Sequence, residues 1–110
     1  MDHEILETLL YYDGPVVYTA CYGDELWFGI AHSEYRLEPQ GWMLDYLEVK
    51  TSPIEVDAIK NNAITLRDVL NRESLRCVSV INGKVEHITQ LKFEDLEEMD
   101  LPTAGVFLRP

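Results

Sequence analysis

The dipeptide Gly23-Asp24 stands between two alternating runs, Val16–Tyr22 and Glu25–His32, and so fixes the register of a hairpin. Glycine first in a two-residue turn supplies the positive φ that tight hairpins need. With Tyr22 and Glu25 as the closing pair, Cys21 faces Leu26, Thr19 faces Phe28 and Val17 faces Ile30. Side chains alternate across a strand, so these six share one face, apolar except for Thr19, and are expected in the core. The other face sets Val16, Tyr18, Ala20 and Tyr22 against Ala31, Gly29, Trp27 and Glu25. Two tyrosines and a tryptophan beside small residues predict a shallow aromatic platform there.

The remaining elements follow from local signals. Ile5–Tyr12 reads as a first strand, with Leu6, Leu9 and Leu10 leaving a short helix as the alternative, and Tyr12–Pro15 as an open or bulged turn, because Pro15 has no N–H with which to close a tight one. Ser33–Gly41 reads as a polar connection and Gly41–Lys50 as a strand. Its Met43, Asp45, Leu47 and Val49 share one face; Trp42, Leu44, Tyr46 and Glu48 share the other. An unpaired inward charge is costly, so Asp45 is expected at an edge or with a partner.

Ser52, Pro53 and Glu55 are the N-cap, first-turn proline and capping-box acid of a helix over about 52–60. Ile54, Ala58 and Ile59 are its expected apolar stripe, and Asn61-Asn62 its stop. Thr65 caps a second helix, about 65–72, whose Leu66, Val69 and Leu70 point inward. Asn82-Gly83 then predicts a hairpin pairing Ile81 with Lys84, Val80 with Val85 and Val78 with His87. Glu94–Asp100 reads as a helical turn or acidic loop, and Val106–Leu108 as an added edge strand. The sum is one α+β domain over residues 1–110: a mostly antiparallel sheet of five to six strands with the helical pair on one face.

The net charge of −11 is concentrated in residues 1–50, which carry ten acids and two bases. That field repels phosphate backbones and anionic membranes, so direct binding of nucleic acid or membrane is not expected, and a basic protein partner is favoured. The acidic start Met1-Asp2-His3-Glu4 lacks a basic, apolar leader, and two cysteines do not make a disulfide framework. A cytoplasmic location is the expectation.

No catalytic, cofactor or metal motif stands out. Cys21, His32, Cys77 and His87 lack metal-ligand spacing, and Cys21 reads as a small core residue. In the expected register Cys77 and His87 point to opposite faces, outside dyad reach. The aromatic set is the strongest candidate binding surface: Tyr18, Tyr22 and Trp27, with Tyr12, Trp42 and Tyr46 around them. The chain therefore reads as a non-enzymatic acidic interaction module, of an immunity or anti-defence inhibitor type. The alternative is an anionic, nucleotide-like small-ligand binder or sponge gripped by Arg36, Arg67, Arg72 and Arg76, a homo-oligomer with pockets at the subunit junction. A homodimer is compatible with either.

The run Leu9-Leu10-Tyr11-Tyr12-Asp13-Gly14-Pro15-Val16-Val17 resembles a family of small acidic bacterial and phage domains of uncharacterised function. Ile64-Thr65-Leu66-Arg67-Asp68-Val69-Leu70 and the later Leu101-Pro102 extend the resemblance over most of the chain. It departs at Asn61-Asn62, where the family pattern has a glycine. The resemblance implies the same strand, turn and two-helix order, and carries no activity, cofactor or catalytic residue.

Overall fold

In the computed structural model, which describes residues 3–11, 15–37 and 41–109 with backbone alone at 11, 15 and 35–37, six strands form an antiparallel meander. They are β1 (Ile5–Tyr11), β2 (Pro15–Tyr22), β3 (Glu25–Leu37), β4 (Gly41–Lys50), β5 (Arg76–Ile81) and β6 (Lys84–Gln90). Each pairs with its sequence neighbours, in the order β1 to β6. Two short helices, α1 (Pro53–Lys60) and α2 (Leu66–Leu70), occupy the β4–β5 connection, which makes the domain α+β. No helix among the described residues is long and apolar enough to cross a membrane.

The β2–β3 hairpin adopts the register that its turn predicts, from Tyr22 opposite Glu25 to Val17 opposite Ile30, with Gly23 at φ +66°. Asn82 and Gly83 both take positive φ, as a type I′ turn requires. Beyond it the expected pairing holds for Ile81–Lys84 and Val80–Val85 and then slips. A bulge at Glu86 places His87 opposite Ser79 and Ile88 opposite Val78, so the expected Val78–His87 pair does not form. One extra residue is readily absorbed on a strand at the edge of the described sheet.

Two more expectations need correction. Ser33–Leu37 is not a connection: it continues β3 past an irregularity at residue 32 and pairs with the first half of β4. Backbone ladders do not require apolar side chains, so its polar composition concealed a strand. Val106–Leu108 is not a strand. Val106 accepts a hydrogen bond from the Leu66 N–H, and Leu108 is buried beside α2.

The helical face of the sheet carries the main core, built from Val17, Phe28, Ile30, Leu47 and Val49 against Ile59, Leu66, Val69 and Leu70. Thr19 joins that face, buried as expected, whereas Cys21 lies exposed near the turn and gives its S–H to Gly23 O. Ser52 Oγ caps α1 by accepting from Glu55 N (3.2 Å). The Glu55 carboxylate is drawn away from the capping box by Thr51 and Arg72. The helix buries Val56 and Ile59, and at about 100° per residue Ile54 falls on the opposite side, 84% exposed instead of in the stripe. Asn62 stops α1 in the left-handed region, φ +57°, and Thr65 caps α2 as expected.

The opposite face is also an interior. Tyr18, Ala20, Tyr46, Val78 and Val80 form a second buried cluster, with Ile5, Leu44 and Val85 at its margin. Sheet twist curls this face inward until the segment before β1 meets the β5–β6 turn, where His3 N donates to Gly83 O at 2.9 Å.

Candidate functional site

One row of residues crosses this second interior. Tyr18 on β2 pairs with Gly29 on β3, Gly29 with Glu48 on β4, and Glu48 with Arg76 on β5. Gly29 has no side chain, and the Tyr18 ring lies in the space that one would take. A Cβ built there would overlap Tyr18 Cζ and sit 2.5 Å from its hydroxyl oxygen. The glycine is thus the gap through which the tyrosine reaches the carboxylate.

Glu48 is fully buried and its oxygens are saturated. Oε2 accepts the hydroxyls of Tyr18 (2.6 Å) and Tyr22 (3.0 Å); Oε1 accepts Arg76 Nε (3.2 Å) and Nη2 (3.0 Å). The Tyr18 proton is committed to Glu48, so its oxygen accepts from His3 Nε2 at 3.1 Å. The Arg76 guanidinium lies 3.5 Å from the Trp27 ring centroid and 4.9 Å from that of Tyr22, covering both. Burial alone would raise the Glu48 carboxyl, but hydrogen bonds from His3, Tyr18 and Arg76 and the Arg76 charge outweigh it and hold it below the usual range. Burial and then the Glu48 charge push the Tyr18 phenol well above its ordinary value. At neutral pH the cluster is therefore a carboxylate clasped by neutral phenols and a guanidinium, with both central groups closed to solvent.

The aromatic platform is accordingly not a surface. Tyr18 is fully buried, Trp27 and Tyr46 are each 4% exposed and Tyr22 is half-buried. Of the other aromatic candidates, Trp42 is exposed and Tyr12 lies outside the described residues, as does the corner at 12–14. Sequence alternation placed Glu48 on the aromatic face but gave no sign that Gly29, Arg76 and His3 complete its shell, because that depends on the registers of three pairings together.

Three of the four arginines of the anion-binding alternative meet a carboxylate of their own. Arg67 forks onto Glu98 (2.9 and 2.6 Å), Arg72 onto Glu55 (2.7 and 2.7 Å) and Arg76 onto Glu48. The Arg36 side chain lies outside the described residues. The β6 bulge turns Cys77 and His87 to the same face, contrary to the sequence reading. Burial, with the Asp45 charge behind it, pushes the Cys77 thiol up to about 11, opposite to nucleophile activation. Asp45 is paired inward, accepting from Ser79 (2.7 Å) and Ser33 (3.3 Å). No group of three or more His, Cys, Asp or Glu side chains among the described residues is arranged to hold a metal ion.

A cleft of about 220 Å³ opens on the helical side of the sheet, where Leu10, Val17, Ile30 and Leu66 face the segment Met99–Pro102. Arg67 anchors the segment that walls it, gripping Glu98 and donating from Nε to Pro102 O at 2.8 Å. Glu97 and Asp100 cap the intervening turn reciprocally, and Asp100 Oδ1 lies 3.1 Å from His32 Nε2. The His32 hydrogen bond, then the Glu97 N–H, holds the Asp100 carboxyl below its ordinary range. Leu10 and Met99 form the lips, 45% and 85% exposed. Comparison with family models, curated proteins and solved structures returns no match.

Proposed function

We propose that this chain is a non-enzymatic acidic interaction module, docking a protein partner of basic character at the Leu10–Met99 cleft rather than through the aromatic face. The observation that carries the reading is the pairing of exposed apolar lips with an acid-rich chain of net charge −11. Apolar side chains gain most when a partner removes them from water, and a negative field speeds the approach of a basic one. The side chains with chemical capacity support the same reading, since Glu48, Arg76, Tyr18 and Tyr22 are bound to one another. Inhibition of a basic protein, in the manner of immunity or anti-defence factors, is the activity that this chemistry suits.

The test compares the wild-type chain with a Leu10→Asp/Met99→Asp variant as bait for protein from the source cells. Both positions are exposed, so the variant keeps the wild-type melting temperature. The expected result is a partner whose affinity falls at least about tenfold in the variant, in line with losing two anchors of about 1 kcal/mol or more each. The same complex weakens as salt is raised. A partner that binds both baits equally would refute the cleft, and the absence of any partner would refute the module.

A further inference from the structure

His3 is held as a bound ligand is held. Its ring is 4% exposed, stacks on Tyr46 with centroids 5.0 Å apart and planes at 27°, and meets Tyr18 edge-on at 5.1 Å. Nε2 lies 3.1 Å from the Tyr18 hydroxyl and 3.5 Å from Glu48 Oε2. The walls do not depend on His3. Tyr18 and Tyr46 contact each other at 5.1 Å and 87°, on β2 and β4, and Glu48 is fixed by Arg76 from the far side. The occupant itself precedes β1, whose pairing among the described residues begins at Ile5, and its backbone N–H donates to Gly83 O.

We propose that this pocket is a binding site for a planar five-membered nitrogen heterocycle bearing an N–H, and that His3 is its resident occupant. Two rings at right angles leave a slot that selects a flat molecule. At the end of the slot the Tyr18 oxygen is the acceptor, which selects an N–H donor, and the buried Glu48 carboxylate 3.5 Å away favours a cationic one. An outside ring competes with the segment before β1, not with the sheet. The site lies on the face opposite to the Leu10–Met99 cleft and stands independently of the interaction reading.

Chemical rescue tests it in the full-length chain. His3→Ala is expected to melt below wild type. Imidazole at tens of millimolar, with pH and ionic strength held fixed, is expected to raise the melting temperature of that variant by roughly 7–11 °C and leave wild type unmoved. A five-atom ligand binds at about millimolar affinity, which sets that concentration. Thiazole, of the same shape without an N–H, gives no such rise, and adding Tyr18→Phe removes the imidazole response. If His3→Ala does not accumulate folded, the yield on refolding with and without imidazole reads the same site. No imidazole-dependent shift or yield, or an equal shift in wild type, overturns the proposal.

Discussion

Replacing Gly29 by alanine is expected to destabilise the fold by about 3–5 kcal/mol, as much as emptying a large core position. The new methyl overlaps the Tyr18 ring, and overpacking of this kind costs about 1–3 kcal/mol. The ring can relieve the overlap only by leaving Glu48, which forfeits a hydrogen bond to a charged group worth about 1.5–3 kcal/mol. Urea unfolding reads the loss as a lower midpoint. The mechanism makes a second demand: in a Tyr18→Ala background the same substitution costs less than about 1 kcal/mol, because nothing remains to be displaced. A double-mutant cycle therefore shows strong coupling between residues 18 and 29. Additive losses would mean that the tyrosine does not occupy the glycine's space.

Arg76→Met is the second large effect. It leaves the buried Glu48 without its counter-charge, which costs about 3–5 kcal/mol; the guanidinium is 13% exposed, so the lower end is expected. Glu48→Gln combined with Arg76→Met recovers much of the loss, since the amide oxygen still accepts from the tyrosines. The pH dependence identifies the cause. The Glu48 carboxyl is held below its unfolded value of about 4.3, so its stabilisation is complete above that pH and disappears as pH falls through the lower folded value. Without Arg76, burial pushes the carboxyl back up, and the variant no longer loses that increment on acidification. The stability gap between the two proteins is widest near neutral pH and narrows below about pH 4. A gap that does not change with pH would assign the loss to packing alone.

The fold was legible where one short turn governs a register. Gly23-Asp24 sufficed for every pair of the β2–β3 hairpin, and Thr65 with Leu66, Val69 and Leu70 for α2. Legibility failed where a decision lay outside the local window. Glu86 bulges because β6 is an edge, and Ile54 faces water because α1 turns Val56 and Ile59 to the core, neither visible from neighbouring residues. Alternation assigns only one face of such a sheet to the core and leaves the aromatic face as surface, yet a curled sheet has two interiors. Glu48 was the available clue, an acid on a strand face shared with Tyr46 and flanked by Leu47 and Val49. It could be interpreted only once Gly29 and Arg76 were known to stand beside it. The cleft lips, Leu10 and Met99, lie far apart in sequence and gave no pattern at all.

The claim that the aromatic face is an interior rests most directly on Trp27, one of two tryptophans in the chain. Trp42→Phe removes the exposed one and leaves Trp27, 4% exposed beneath Arg76, as the only indole emitter. Acrylamide quenching of that variant is predicted to be severalfold weaker in the native protein than in the same protein unfolded in urea. Native quenching as strong as in the unfolded chain would show an open aromatic platform and contradict the account.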